Sequence, residues 1–346
     1  FWLWVKMYEL LGAHYAYKKF RGGLQISFEG FMIDYATDKV GLCKRRGDWL
    51  VAWIQKVKED NFLVSCHKFA EFLGRLGFVA QVLFWLKPHL APLYSWAAAT
   101  GKSGGTFRLP EMVAITLGFI ADLLKEETYM LAAALPRRAG RQAFRTDAKC
   151  ETGRVVLAGW ETNDVPGRAR WFSLELSPED APYLFDAARN SQWASTSAEL
   201  LASLVALHVF GHLGEPGTVA ELPLRLRAGT DTQANEALTK HKSTTKFPLM
   251  LIHMQLSLLT ARARKMLCLE WCPRDENELA DALTNQVFKA FCPSRRLLVK
   301  YGDLPLDLLH VLLKTKDQFL QSKRDRACVQ GQPVKRRRSS LDKSVW

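Results

Sequence analysis

The chain has 346 residues, 48% of them hydrophobic and 24% charged, which excludes a disordered or fibrous protein and leaves room for two domains. Its formal net charge of +13 favours a polyanionic partner, most commonly nucleic acid, with a membrane surface or plain solubility as alternatives. The seven cysteines include no CxxC pair, which argues against a zinc site or a disulfide framework and indicates a reducing, intracellular compartment.

The first third of the chain predicts short strands followed by helices. An apolar run at 1–12, FWLWVKMYELLG, is too short to span a bilayer, and no membrane association is predicted from it. The run LQISFEGFMID at 24–34 is strand-like, and apolar residues recur with helical spacing at 50–60 and 67–86. A further helix is predicted at about 110–127.

A Gly-rich break separates the last two of these helices. It contains the letters GKS, but Trp96 stands where a phosphate-binding loop of the GxxxxGK[ST] type requires glycine. A phosphate-loop interpretation is therefore rejected.

From residue 143 the pattern changes to three short strands, AFRTDAK, RVVLAGWE and RARWFSLEL, and then to a helix that begins near Ser195. A fourth strand ends at Asp231, helices follow at about 235–240 and 248–265, and a strand at 266–272 leads into a last helix. The order β-β-β-α-β-α-α-β-α predicts an α/β domain with a mixed sheet.

Four acidic residues fall at particular places in this domain: Asp147 near the end of the first strand, Glu199 in the first turns of the first long helix, Asp231 at the end of the fourth strand, and Asp281 in the last helix. Each alone is typical of a helix-dipole partner or a turn former. Together they can converge at one edge of the sheet, where carboxylates repel one another unless cations neutralise them. Mg²⁺ prefers such oxygen ligands, and two ions roughly 3.5–4 Å apart can clamp the attacking and leaving oxygens of a phosphodiester.

The segment 143–288 resembles the ribonuclease H domain of retroelement reverse transcriptases, through TDA at 146–148, SAELLA at 197–202, GTD at 229–231 and NELADAL at 277–283. The resemblance implies an α/β fold with a ribonuclease H-like mixed five-stranded sheet and helices on both faces. It implies that Asp147, Glu199, Asp231 and Asp281 bind two Mg²⁺ or Mn²⁺ ions, and Asn277 matches the family's Asn-x-x-Ala-Asp pattern. The implied activity is hydrolysis of the RNA strand of RNA–DNA hybrids, with RNA selected through its 2′-hydroxyl.

The upstream part resembles other regions of a reverse transcriptase more weakly. Residues 1–40 are similar to the end of the palm, with Lys18 and Lys19 at the position of the palm lysine and FEGFMID as the hairpin that grips the primer. The Tyr-x-Asp-Asp polymerase motif does not occur, so the chain as given is not expected to polymerise. The predicted regions are the palm end (1–40), a mostly helical thumb or connection-like region (41–135), a basic linker (136–142), the ribonuclease H-like domain (143–290), and a helical extension with a basic disordered tail (291–346).

The tail contains KRRR at 335–338, which is typical of a nuclear localisation signal or a nucleic-acid patch and equally of a solvated disordered end. If it is such a signal, the predicted location is nuclear.

The chain departs from the family pattern in three ways. Lys149 replaces a small polar residue after the first motif, Thr232 follows Asp231 where Asn or Ser is common, and EWCPRDEN at 270–277 lacks the histidine that many relatives carry. Lys149 lies two residues beyond Asp147, on the same strand face, where it is expected to weaken metal binding or to hold a substrate phosphate. The predicted nucleic-acid contacts are Lys18, Lys19, Lys149 and Asn277.

A non-catalytic alternative is a degenerate retroelement remnant that binds nucleic acid without cleaving it. An integrase or a resolvase built on the same sheet is a further alternative, which the glutamate on the first helix disfavours.

Overall fold

The computed structural model describes residues 2–13, 22–28, 30–36, 39–100, 105–125, 130–132, 141–162, 165–214 and 224–328. The predicted palm lysines Lys18 and Lys19, most of the predicted linker and the cluster at 335–338 lie outside these ranges. None of the helices within them is long and apolar enough to cross a bilayer.

The N-terminal part is mostly helical and carries two small antiparallel sheets. Its described helices are α1 (Trp2–Leu10), α2 (Lys44–Glu59), α3 (Cys66–Val79), α4 (Lys87–Thr100) and α5 (Glu111–Lys125). Its described strands are β1 (Gln25–Phe28), β2 (Phe31–Asp34), β3 (Lys39–Leu42), β4 (Leu63–Ser65), β5 (Thr106–Arg108) and β6 (Met130–Ala132). One sheet has the order β1-β2-β3-β6, and β4 pairs with β5. The antiparallel pair β1–β2 stands where the sequence resembles a primer-gripping hairpin.

The prediction of one continuous helix over 67–86 was wrong. Helix α3 ends at Val79, a 3₁₀ turn covers Phe84–Leu86, and α4 begins at Lys87. Pro88 accounts for the new start, because a proline in the first turn of a helix loses no intrahelical hydrogen bond, whereas in the interior it would. The apolar spacing did not reveal the break, because residues such as Leu83 in the connection are as buried as those of the helices.

The second part is built on a five-stranded mixed sheet. Its strands are β7 (Phe144–Glu151), β8 (Arg154–Glu161), β9 (Trp171–Leu176), β10 (Leu224–Thr230) and β11 (Lys265–Trp271), in the spatial order β11-β10-β7-β8-β9. Strands β7, β8 and β9 form an antiparallel meander, whereas β10 runs parallel to both β7 and β11.

Helices cover both faces of this sheet. They are α6 (Ser195–Val209), α7 (Gln233–His241), α8 (Leu249–Arg262) and α9 (Glu278–Thr284). Helix α6 packs on one face of β7, where the hydroxyl oxygens of Thr146 and Ser203 lie 3.2 Å apart. Helix α9 packs on the other face, where Ala280 joins a buried cluster with Trp160. The predicted architecture, an α/β domain with a mixed five-stranded sheet and helices on both faces, is confirmed.

The helical part and the sheet share one hydrophobic core. The last described helix, α10 (Asp307–Cys328), packs against α4, α5 and α8. The hydroxyl of Ser257 in α8 donates to the backbone oxygen of Trp85 at 2.7 Å, and the side-chain oxygen of Gln255 accepts from the Leu309 amide at 2.9 Å. The region boundaries drawn from the sequence stay predictions, and this core extends across them.

Candidate active site

The candidate site lies where two parallel strands separate. Among the described residues, strand β10 pairs with β7 through Ala228–Phe144 and Gly229–Arg145 only. A Cβ atom on Gly229 would lie 2.9 Å from the Arg145 Cγ atom, so glycine allows the strands to approach at their last contact. Each strand carries an aspartate two residues further on. In open α/β sheets, the carboxyl ends of strands with oppositely directed connections form a crevice, and this junction has that arrangement.

Asp147 lies in the middle of β7 rather than near its end, opposite Ala158 of β8. Its side chain is buried, and the Thr284 hydroxyl lies 3.0 Å from its Oδ2 atom. Burial, and then the charge of Asp231, raise the pKa of the Asp147 carboxyl to about 6. The hydrogen bond from Thr284 opposes this rise. Asp147 is thus a buried carboxylate whose charge is poorly compensated.

Glu199 lies in the second turn of α6, as the sequence predicted, and it is buried. The Thr230 hydroxyl donates to its Oε2 atom at 3.2 Å, which links the helix to the end of β10. Burial, followed by the charge of Asp231, raises the pKa of the Glu199 carboxyl well above its usual range, and Asp147 adds to the rise. The structure therefore brings three of the four predicted acids into mutual electrostatic contact.

Asp231 is the first residue after β10, whereas the sequence predicted it as the last residue of that strand. Its Oδ1 atom is buried and has no hydrogen-bond partner among the described residues. Its backbone oxygen accepts a hydrogen bond of 3.0 Å from the indole nitrogen of Trp271, a half-exposed side chain. The backbone at Asp231 is thus fixed, while one carboxylate oxygen is left without a donor.

Asp281 is placed differently from the other three acids. It lies in α9, and its charge raises the pKa of Asp147 less than burial or the charge of Asp231 does. Its Oδ1 atom is 3.3 Å from a guanidinium nitrogen of Arg274, and its Oδ2 atom accepts from the Asn285 side chain at 2.9 Å. The fourth carboxylate is therefore already held by a cation and an amide.

The two predicted contact residues near the acids serve local structure. Asn277 is buried, and its side-chain amide donates to the Thr146 backbone oxygen at 3.2 Å, which ties the start of α9 to β7 beside Asp147. The Lys149 ammonium lies 2.7 Å from a carboxylate oxygen of Glu151. This hydrogen bond, followed by the one from Arg154, holds the pKa of the Glu151 carboxyl below its usual range. Contact of Lys149 or Asn277 with nucleic acid stays a prediction.

The donor set suits a divalent cation. The charge of Asp231 raises the pKa of both Asp147 and Glu199, and Asp231 has a carboxylate oxygen without a hydrogen-bond donor among the described residues, so positive charge is what the site lacks. Within the described ranges no three His, Cys, Asp or Glu side chains are close enough together to hold an ion. Binding would therefore draw the carboxylates closer together, with Asp281 released from Arg274.

Several supporting residues were missed from the sequence. Thr230 is one, and its only signal was its place in the GTD motif, directly before Asp231. Thr284 and Arg274 are others, and each flanks the NELADAL motif within seven residues of Asp281. Local hydroxyl and guanidinium groups of this kind are common, so their positions alone carried no signal.

By sequence, the chain matches no family model and no curated protein. By structure, it is similar to ribonuclease H1 from the halophilic archaeon Halobacterium salinarum, with 17% identity, coverage of 43% of this chain and 98% of that one, and a TM-score of 0.29. It is also similar to the foamy viral protease-reverse transcriptase in complex with an RNA/DNA hybrid, with 12% identity and a TM-score of 0.24. That match covers 71% of this chain and 29% of the viral chain. The fold of this chain is assigned from its own strand order and helix layers.

Proposed function

We propose that this chain is a metal-dependent nuclease that hydrolyses the RNA strand of RNA–DNA hybrids, as the C-terminal part of a retroelement reverse transcriptase. The observation that carries the proposal is the group formed by Asp147, Glu199 and Asp231 where β7 and β10 separate. The order of the four acidic motifs supports the substrate class, and the net charge of +13 supports a polyanionic partner.

In this proposal the carboxylates hold one or two Mg²⁺ or Mn²⁺ ions. Bound divalent cations supply Lewis acidity and charge neutralisation for hydrolysis of a phosphodiester. Asp147 and Glu199 are held in place from two elements each, since Thr284 contacts the first and Thr230 the second. These contacts hold the two carboxylates on neighbouring elements, and the cation would draw them together over the remaining distance.

Asp281 has a conditional role in the proposed site. Its carboxylate would bind the metal ion only after the ion pair with Arg274 breaks. A divalent cation attracts the carboxylate more strongly than a single exposed guanidinium does. Arg274 is 83% exposed, so its ion pair with Asp281 is screened by water and is easily broken.

The test is cleavage of an end-labelled RNA–DNA hybrid in Mg²⁺ and in Mn²⁺. Wild type is expected to cut the RNA strand, and Asp147→Asn is expected to lose at least a hundredfold in rate, because it removes a charged metal ligand. Glu179→Gln is a matched carboxylate-to-amide control at an exposed surface ion pair, and it should cut like wild type. Equal cleavage by wild type and Asp147→Asn, after removal of contaminating nuclease, would exclude this role for Asp147.

A second candidate function is binding of nucleic acid without cleavage by a degenerate retroelement remnant. The pairing of Asp281 with Arg274, and the lack of a preformed ligand group among the described residues, favour it. This candidate predicts salt-dependent binding to hybrids that survives Asp147→Asn, together with no cleavage in either metal. The same assays therefore separate the two functions.

A further inference from the structure

A cluster of cations lies at the end of α7 that faces away from the carboxylates. Its centre is Lys242, which directly follows the helix in a left-handed conformation, with φ of 57°. Few non-glycine residues adopt this conformation, so this backbone is specifically held. The half-buried Lys242 ammonium lies 4.8 Å from the centre of the Phe84 ring.

Two more cations lie near enough to Lys242 to act on its charge. Phe84 lies in the turn before α4, whose first residue is Lys87, and Arg225 lies on β10 with its Nε atom 3.1 Å from the Cys268 sulfur. Burial lowers the pKa of the Lys242 ammonium, Cys268 opposes this change, and the charges of Lys87 and Arg225 lower the pKa further. In the part of the chain that the structure describes, none of these three cations pairs with a carboxylate.

Two histidines lie behind the cluster, and neither is a counter-charge for it. His253 of α8 is buried, and its pKa is lowered to about 3 by burial, by Lys242 and by His89. His89 is fully buried, and neither of its ring nitrogens has a hydrogen-bond partner among the described residues. The cluster therefore has an aromatic ring and a thiol beside it but no carboxylate, and an anion would stabilise its three cations.

We propose that Lys87, Arg225 and Lys242 form a phosphate-binding site for the backbone of the nucleic acid strand that reaches the carboxylates. This inference rests on the proposed function only for the identity of the strand. A half-buried ammonium without a carboxylate partner lowers the stability of the free protein, and an anionic ligand would supply the missing negative charge. An ammonium and a guanidinium together suit a phosphate group.

The spacing fits a strand that spans both sites. Helix α7 has nine residues between Asp231 and Lys242, which corresponds to a length of about 14 Å at 1.5 Å per residue. Successive phosphates of one strand are separated by about 3.4 Å along a duplex axis, so the two sites are about four base pairs apart. A hybrid longer than this can reach both sites at once.

The experiment measures binding of a fluorescent hybrid of about 20 base pairs to the 346-residue chain across a salt series. All variants carry Asp147→Asn, so that no cleavage occurs. Lys242→Met is expected to weaken binding about three- to tenfold and to reduce the salt slope by about one phosphate contact. It is also expected to raise the melting temperature by about 1–3 °C, because it removes an unpaired half-buried charge. Lys242→Arg should retain the affinity.

Lys240 provides the matched control. It lies on the same helix, is exposed and pairs with Glu236 at 2.9 Å, so Lys240→Met should leave the salt slope and the melting temperature near those of the parent. An unchanged slope in Lys242→Met would overturn the proposal. So would an equal loss in Lys240→Met, which would indicate a diffuse basic surface.

Inorganic phosphate is the second probe. If phosphate stabilises the parent but not Lys242→Met, while hybrid affinity is the same in both, the cluster binds a free anion and the nucleic-acid proposal is wrong. Because the assay needs no cleavage, it can succeed even if the chain proves to be inactive. If hybrid binding is unaffected by Lys242→Met, the proposed nuclease activity still stands.

Discussion

Replacing Asp147 by asparagine is expected to stabilise the metal-free protein at neutral pH, even though it removes a functional group. The carboxyl has a pKa of about 6 in the folded chain against an ordinary value of 3.8, mainly because of burial and then because of Asp231. Asparagine keeps an oxygen that can accept from Thr284 but carries no charge, so the variant isolates the electrostatic effect.

The sign and size follow from proton linkage. Well below pH 3.8 the carboxyl is protonated in both states and does not affect the free energy of unfolding. As the pH rises to about 6, the unfolded chain releases its proton and the folded chain keeps it, so stability falls. Above that range the whole penalty is present, and about two pKa units correspond to about 3 kcal/mol as an upper figure.

The assay is urea unfolding followed by tryptophan fluorescence at about pH 4 and about pH 7.5, in EDTA. Asp147→Asn should exceed wild type by about 1–3 kcal/mol at the higher pH and by much less at the lower one. Glu179→Gln should show no such pH-dependent gain. Adding Mg²⁺ in excess of the EDTA should stabilise wild type, by about 2.7 kcal/mol when the free Mg²⁺ concentration is a hundred times the dissociation constant. The same Mg²⁺ concentration should stabilise Asp147→Asn less. A difference that is the same at both pH values would refute the electrostatic reasoning.

Three further outcomes follow from the same structure. Gly229→Ala should destabilise the fold by about 1–3 kcal/mol and reduce cleavage, because its Cβ would meet the Arg145 side chain; unfolding midpoints and hybrid cleavage test this. If Asp281 is a metal ligand, Arg274→Ala should tighten Mn²⁺ binding about two- to tenfold, because the competing guanidinium is gone. Isothermal titration measures the affinity, and an unchanged affinity would show that Asp281 is not a ligand. Ser257→Ala should lower stability by about 1–3 kcal/mol in thermal or urea unfolding, because a backbone oxygen of the helical part loses its donor, and Ser294→Ala, at an exposed position, is its control.

The sequence predicted the order of the strands and the element that carries each acid better than it predicted the details of the site. The order could be predicted because alternating and helical apolar spacings are local, as in α6, where Glu199 lies in an early turn. The position of Asp147 within its strand was wrong, because strand ends depend on pairing with β8, which is a long-range property.

The pairing of Asp281 with Arg274 could not be predicted for a different reason. It depends on the path of the chain between β11 and α9, where a 3₁₀ turn at Arg274–Asn277 takes the place of a continuous helix. A spacing of seven residues on irregular backbone does not by itself fix which side chains meet. The cation cluster at Lys242 could not be predicted from the sequence either, because its members come from α4, β10 and the end of α7, which are far apart along the chain.

The core shared by the helical part and the sheet has a practical consequence for dissection of the chain. Leu309 and Leu312 of α10 are fully buried, and they lie beyond residue 290, where the sequence would end the sheet domain. A fragment limited to 143–290 would expose the side of α8 that packs against α4 and α10 and would lose the Leu309 donor of Gln255. The carboxylate site thus belongs to a cooperative unit larger than its sheet. Destabilising substitutions in α10, which is distant in sequence from the four site carboxylates, should therefore lower the stability of the site and of the helical part in one unfolding transition.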